Sequence, residues 1–425
     1  QLRHNRRMKK TVLDPAFLRQ QIVGVDSTFE TPFGERLMVY CDYTASGRCL
    51  RFVESYLQSL QRVYANTHTE DDITGRSMSQ LLHEAEEAIK NSVNAGPDGR
   101  IVACGTGATG AIDKLQQIVG VALAPATRKN YDDSLDALGT ETDSQVLRKR
   151  LEEVQPVVFI GPYEHHSNEI SWRQCLATTI EVRMDATGNI DLAHLEELLT
   201  DPRYRNRQRI GSFSAASNVT GIRSDVRRIA SLLHKHGAMA CFDFAACAPY
   251  VDIDMNPQPA SEGEDPSIDA IFISPHKFLG GPGSSGVLVF NERIYNRELP
   301  PSMSAGGTVD YVGMQGQDFI RRIEEREKAG TPGVLQTLKA GLVFQIKDRV
   351  GVEVINAREH ELTDRAMKSW AGNENIEVLG NPDPGSRVGI ISFNIKDGAG
   401  KYLHHKFITV LLNDLFGIQS RAGCS

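Results

Sequence analysis

Between residues 100 and 290 the chain alternates short apolar runs with longer segments whose apolar residues recur at helical spacing, and this constrains its fold most. Residues 100–104, 157–160, 178–182, 210–213, 240–244, 268–273 and 286–290 read as buried strands. Between them, residues 111–123 place Ile112, Leu115 and Val119 on one face of a helix. Asp191 heads a second helix carrying Leu192, Leu195 and Leu199. Ser224 or Asp225 heads a third, with Val226, Ile229, Ala230 and Leu233 on one face and Gly237 at its end. Strands and helices in turn predict an α/β fold with a mostly parallel central sheet covered by helices on both faces. Ligands bind such sheets beyond the carboxyl ends of the strands, so the residues after each apolar run are where chemistry is expected.

The 425 residues exceed what one small core needs. The expected division is an N-terminal arm over residues 1–35, a large α/β domain over 36–300, and a smaller α+β C-terminal domain over 301–425, incomplete at its end. Residues 125–156 and 255–267 are polar and read as surface insertions in the large domain. In the small domain, helical segments at 333–349 and 357–371 surround a strand expected at 388–395. The basic start (Arg3, Arg6, Arg7, Lys9, Lys10) lacks the apolar stretch of a secretory signal and reads as a solvated tail. Both ends read as cuts through a longer chain.

Composition narrows the function classes. A net charge of −7, from 47 basic and 54 acidic residues, argues against nucleic-acid binding. No apolar run approaches the roughly 18 residues of a membrane span. The seven cysteines are scattered and form no C-x-x-C pair, which gives neither a disulfide framework nor a zinc site. A reducing compartment, cytoplasmic or organellar matrix, is the expectation. Cys41, Cys49, Cys241, Cys247 and Trp172 read as small or aromatic core residues.

The residues that carry chemistry follow the apolar runs. Ser274-Pro275-His276-Lys277, with Gly280, Gly281, Gly283 and Gly286 after it, ends one of them. A lysine there is poised as an amine nucleophile or is simply a surface residue beside a glycine-rich turn; Ser274 and His276 are phosphate donors. Asp243 ends the preceding apolar run, where it caps a turn or serves as an acid at the ring nitrogen of pyridoxal 5'-phosphate (PLP). Gly105-Thr106-Gly107-Ala108-Thr109-Gly110 joins a strand to a helix and offers amides and the Thr109 hydroxyl to a phosphate. Its spacing is neither a Walker motif nor the dinucleotide fingerprint. Glu164-His165-His166-Ser167-Asn168 follows residues 157–160. Adjacent histidines on an extended segment face opposite ways, so one imidazole stacked on a flat ring is a better reading than shared metal ligation. In Ser217-Asn218-Val219-Thr220-Gly221, Asn218 meets a ring hydroxyl or makes an Asx turn.

Taken in order, Asp42, Gly107-Ala108-Thr109, Glu164-His165-His166-Ser167-Asn168, Ser217-Asn218-Val219-Thr220-Gly221, Asp243 and Ser274-Pro275-His276-Lys277 resemble the class V aminotransferase family. Within it the pattern is most similar to the cysteine desulfurases of the selenocysteine-lyase type, from about Tyr40 to Gly423. The resemblance implies PLP as cofactor on fold type I. Lys277 would hold it as a Schiff base and shuttle the substrate α-proton. Asp243 would pair with the pyridine nitrogen, His165 would stack on the ring and assist proton transfer, and Asn218 would contact the ring oxygen. Ala108, Thr109, Ser274 and His276 would bind the phosphate. Lys328-Ala329-Gly330-Thr331-Pro332 resembles the family's Ala-Gly-Thr-Pro loop, which implies a homodimer in which Thr331 reaches the neighbour's phosphate.

Two departures stand out. Ala246 occupies the position of the family's glutamine. Ser420-Arg421-Ala422-Gly423-Cys424-Ser425 resembles its Arg-Thr-Gly-His-His-Cys segment, but on that register the persulfide-forming cysteine falls after Ser425, with the substrate-carboxylate arginine further on. The resemblance implies a small amino-acid substrate and a desulfurase-like C–S lyase, with a sulfur-acceptor protein as an unidentified partner. Transamination, epimerisation or another elimination on the same scaffold is the alternative, and a non-catalytic binding subunit the remote one.

Overall fold

The computed structural model describes residues 13–67, 71–137 and 141–423, without the side chains of 141 and 142. The basic start of the chain and Cys424 lie outside the described residues.

Seven strands form the central sheet: β1 (Gly99–Cys104), β2 (Val157–Ile160), β3 (Thr178–Glu181), β4 (Arg209–Ser214), β5 (Met239–Asp243), β6 (Ala270–Ile273) and β7 (Gly286–Asn291). They lie in the order β1-β7-β6-β5-β4-β2-β3. Neighbours from β6 to β3 are parallel, while β7 runs antiparallel to both β1 and β6. This is the expected α/β architecture, with one reversed strand.

The apolar runs separate into two faces because side chains alternate along a strand. Phe159, Phe213, Phe242, Ile271 and Val289 join one buried cluster. Val158, Ile160, Ile210, Cys241, Phe272 and Leu288 join the other. The first face is covered by α1 (Ile73–Ser92), α4 (Leu192–Thr200), α5 (Val226–Lys235) and α6 (Val334–Val350); the second by α2 (Gly107–Ile118) and α3 (His166–Arg173). Each fully buried Phe, Leu or Ile here contributes about 1.5–3 kcal/mol relative to exposure. Asp191 and Asp225 cap α4 and α5, accepting from His194 N and Arg228 N. Helix α2 begins four residues earlier than the spacing of its apolar positions suggests, at the glycine-rich turn itself.

Within the polar insertion at 125–156, Pro125–Ala137 and Glu141–Val154 form helices. Pro125–Ala137 buries none of its residues, and Arg148 of the adjoining helix Glu141–Val154 pairs with Asp132 and Asp136. Residues 255–267 form a loop, anchored at its start by buried Met255.

Helix α6 packs Val343 and Phe344 into the main core, and its Lys347 donates to Val251 O. Of the strand expected at 388–395, only Phe393–Ile395 forms, paired with Ile376–Val378. Residues 386–388 instead lie against the 217–223 turn, through Arg223 N to Ser386 O and Val388 N to Gly221 O. At the other end of the chain, Val39–Tyr40 pairs in parallel with Ile418–Gln419. No helix among the described residues is long and apolar enough to cross a membrane.

Candidate active site

The carboxyl edge of the sheet opens into a cavity of about 200 Å³. Eight of the sequence-expected residues line it: Ala108, Thr109, His165, Asn218, Asp243, Ser274, His276 and Lys277. They arrive from five separate stretches of chain, each following a strand.

After β6, Ser274 precedes a single 3-10 turn, Pro275–Lys277, in which proline takes the first helical position. Lys277 N donates to Ser274 O at 3.0 Å. The loop 42–47 lies directly against this turn: Gly47 N donates to His276 O, and a Cβ on Gly47 would sit 1.9 Å from Phe278 O. Only glycine permits that approach, which brings Thr44 and Ala45 to the cavity wall. The Lys277 amine forms no hydrogen bond or ion pair among the described residues. Burial lowers its pKa, Asp243 opposes the shift, and Arg421 adds to it.

Asp243 ends β5, level with Ser214 of β4 and Phe272 of β6. Its carboxylate is almost wholly buried, and Oδ1 accepts from Ala245 N at 2.8 Å. No second hydrogen bond reaches it among the described residues. Burial therefore raises its pKa, against the Ala245 amide and the Lys277 charge.

The two histidines do not share an extended segment. His165 caps α3, its Nδ1 accepting from Ser167 N at 3.1 Å, and His166 is the exposed first residue of that helix. The cap leaves Nε2 as the protonated nitrogen of a neutral ring. Burial lowers the His165 pKa, and the charges of Lys277, His166 and Arg421 lower it further. His166 does not line the cavity.

Glu164 fastens this turn to β4. Its carboxylate accepts from Gly161 N, Ser214 N, Ser214 Oγ and Asn168 Nδ2, at 2.6–3.1 Å. Burial nevertheless pushes its pKa up to about 7. Asn168 Oδ1 in turn receives Trp172 Nε1 and Ser212 Oγ, so the indole is a core group, as expected, with its N–H satisfied.

At the start of α2, Gly107 has a φ of +61°, and a Cβ there would lie 2.8 Å from both His276 Cε1 and Ser274 Oγ. Ala108 N donates to Ser274 Oγ at 2.8 Å, and Thr109 Oγ1 lies 2.7 Å from Ser167 Oγ. Hydroxyls, an imidazole and a helix N-terminus thus converge on one wall.

Thr331 does not reach this cavity. Its Oγ1 accepts from Asn66 Nδ2 at 3.3 Å, beside a separate cleft lined by Thr67, Ser79, Lys328 and Pro332. Ala246 lines the cavity with only a methyl group. Cys41 is exposed, contrary to its reading as core. Cys49 is half-buried; Cys241 and Cys247 are buried, and burial pushes the Cys247 thiol up to about 12.

Arg421, Ser167 and Ser214 also line the cavity without having been assigned a site role from the sequence. The pairing of Ile418–Gln419 with Val39–Tyr40 brings Arg421 to 3.5 Å from Asp42. The signal was present in the 420–425 segment, but that contact spans almost the whole chain.

A family model described as "Aminotransferase class-V" matches residues 139–425. Among curated relatives, a probable cysteine desulfurase of Halalkalibacterium halodurans is 29% identical over 271 residues, 63% of this chain and 60% of that protein. A probable cysteine desulfurase of Staphylococcus aureus is 26% identical over 396 residues, 92% of this chain and 83% of that protein. Among solved structures, the apo cysteine desulfurase from Thermococcus onnurineus NA1 superposes with a TM-score of 0.73 at 18% identity, covering 96% of this chain and 88% of its own. The cysteine desulfurase CsdA from Escherichia coli gives 0.72 at 22%, covering 97% and 88%. These structures share the fold. With the family model matching more than half of its length, the chain belongs to the class-V aminotransferase family of PLP-dependent enzymes.

Proposed function

We propose that this protein is a PLP-dependent C–S lyase of the cysteine desulfurase type, acting on a small amino acid. The observation that carries the reading is that Lys277 and Asp243 line one cavity, each with bonding capacity that no described residue uses.

The residues fit the cofactor by their own chemistry. The unfilled side of the Asp243 carboxylate suits a protonated pyridine nitrogen, whose charge would offset the burial of the acid. Gly107, Ala108, Thr109, Ser274 and His276 form a wall suited to the phosphate, and a side chain on Gly107 would fill it. Bound there, PLP supplies an electron sink for a carbanion at the substrate α-carbon.

The chain's residues then take these roles. Lys277 Nζ would be the covalent anchor for the cofactor and the base for the substrate α-proton; its lowered pKa favours the neutral form that both roles need. His165 would stack on the cofactor ring, with its Nε2–H fixed by the cap on Nδ1. Asn218 would contact the cofactor's ring oxygen. Arg421 places a cation where a carboxylate substrate would enter. Ala246 offers the cofactor no polar contact, and this favours a second reading: transamination, epimerisation or another elimination with the same cofactor. Thr331 serves a neighbouring subunit in a homodimer.

The test is incubation of the cofactor-loaded full-length protein with L-cysteine and a reductant, with sulfide and alanine measured. Both should form in equal amounts. Cofactor binding without either product would discard the desulfurase assignment, and product analysis with a keto-acid acceptor would then identify the second reading.

A further inference from the structure

A further cavity, of about 290 Å³, lies between the helix Val352–Trp370 and residues 384–387, and shares no residue with the Lys277 cavity. Arg223, Asn356, Glu359, His360, Thr363 and Arg387 line it.

Arg387 is the anomaly. Only 5% of it is exposed, yet its guanidinium forms no ion pair among the described residues. Nη1 donates to Asn381 O at 2.9 Å and Nη2 to Ile390 O at 2.5 Å, while the buried Nε has no partner. Neutral carbonyls do not offset the burial of a full charge, so a native guanidinium in this state calls for an anion. Arg223, exposed at the rim, likewise forms no ion pair or side-chain hydrogen bond among the described residues. The one carboxylate in the lining, Glu359, faces the Gly389 amide and feels the charge of Arg223; burial outweighs the lowering effect of both and pushes its pKa up to about 7, which weakens it as a counter-ion near neutrality. Asp383, close to His360, is already bonded to Gly385 N and Ser386 Oγ.

We propose that this cleft binds a phosphoryl group, as inorganic phosphate or on a small phosphorylated metabolite, between Arg387 and Arg223 with His360 and Asn356 alongside. Two guanidiniums match the double charge of phosphate, and their fixed forks suit its oxygens better than a single carboxylate would use them.

The cofactor-loaded protein is titrated calorimetrically with inorganic phosphate, with glycerol phosphate and with acetate, so that the Lys277 cavity does not compete. Saturable binding of either phosphate at one site per chain is expected, with Arg223→Gln weakening it by about tenfold, the effect of one charge-assisted contact. The tighter of the two phosphates identifies the source. Arg387→Lys keeps the charge but loses the fork, and is expected to weaken binding similarly. Because Arg223 is exposed, its variant remains informative if the Arg387 variant fails to fold. Absence of saturable phosphate binding, equal affinity in Arg223→Gln, or acetate binding as tightly as phosphate would each overturn the proposal.

Discussion

Asp243 and Asp269 lie at the ends of neighbouring strands of one sheet and are almost equally buried, at 4% and 2% exposure, yet they are opposite kinds of residue. Asp269 lies at the amino edge, immediately before β6. It accepts from Ala240 N at 2.8 Å, from His234 Nε2 at 2.9 Å and from Arg293 Nε at 2.5 Å. Burial alone would raise its pKa, but these partners outweigh burial and lower it. Asp243 lies at the carboxyl edge with one backbone amide, and there burial wins. A carboxylate with all its contacts made holds the fold together. One left short of contacts, beside a lysine in the same condition, costs stability and is the mark of a site that awaits a ligand.

The comparison is broken most severely through Lys277. Lys277→Ala is expected to lower turnover at least about a thousandfold, because anchor and proton acceptor disappear together. Borohydride reduction of the wild type with PLP, followed by peptide mass spectrometry, should place the pyridoxyl group on Lys277. A label on another lysine would remove the carboxyl edge from consideration.

The two aspartates give the next test. Asp243→Asn is expected to lower turnover by about a hundredfold or more, since a neutral amide no longer stabilises the protonated ring nitrogen. The same change should leave the unfolding midpoint of the cofactor-free protein unchanged or higher, because it removes a charge that burial disfavours. Asp269→Asn should do the reverse, costing about 1–3 kcal/mol because Ala240 N, His234 and Arg293 lose their charged acceptor, although Asp265 still faces the last two, while leaving the cofactor's absorbance intact. Thermal unfolding and visible spectra of the two variants separate the roles; loss of stability in both would mean that Asp243 is structural as well.

Much of this contrast was legible in the sequence. The apolar runs located the strands of the central sheet, because strands covered on both faces are dominated by apolar residues; the half-buried edge strand Thr178–Glu181 is the exception. Asp243 and Lys277 were legible because each lies at, or a few residues past, the end of such a run. What was not legible came from long-range or local geometry. Arg421 reaches the cavity only through a strand pairing between the two ends of the described chain, which no local pattern encodes. His165 is extended, as its position after β2 suggests, but it caps a helix that begins at His166, because its imidazole supplies an acceptor that the first turn of α3 lacks. Residues 125–156 lack strong apolar periodicity because their helices pack largely on each other's polar faces.

The smallest expected effect is a pH dependence at the amino edge. His234 is held by Asp269 and Asp265, with Arg293 also facing it. Burial works against its protonation, but the two carboxylates outweigh burial and raise its pKa above 6.5. A raised folded value stabilises the protein fully below about 6.5 and loses that stabilisation as pH rises through the folded value. The lowered Asp269 works the other way, contributing above its ordinary value of 3.8 and losing that contribution only as pH falls through its folded value. The cluster is therefore strongest in mildly acid solution. His234→Gln should lower stability most at about pH 5.5, by on the order of 1 kcal/mol, and the deficit should shrink toward about pH 8.5. Denaturant unfolding at both pH values measures it. An equal deficit at the two would mean that Arg293, charged throughout, holds Asp269 without help from the imidazolium, and that the amino edge owes its stability to a single ion pair.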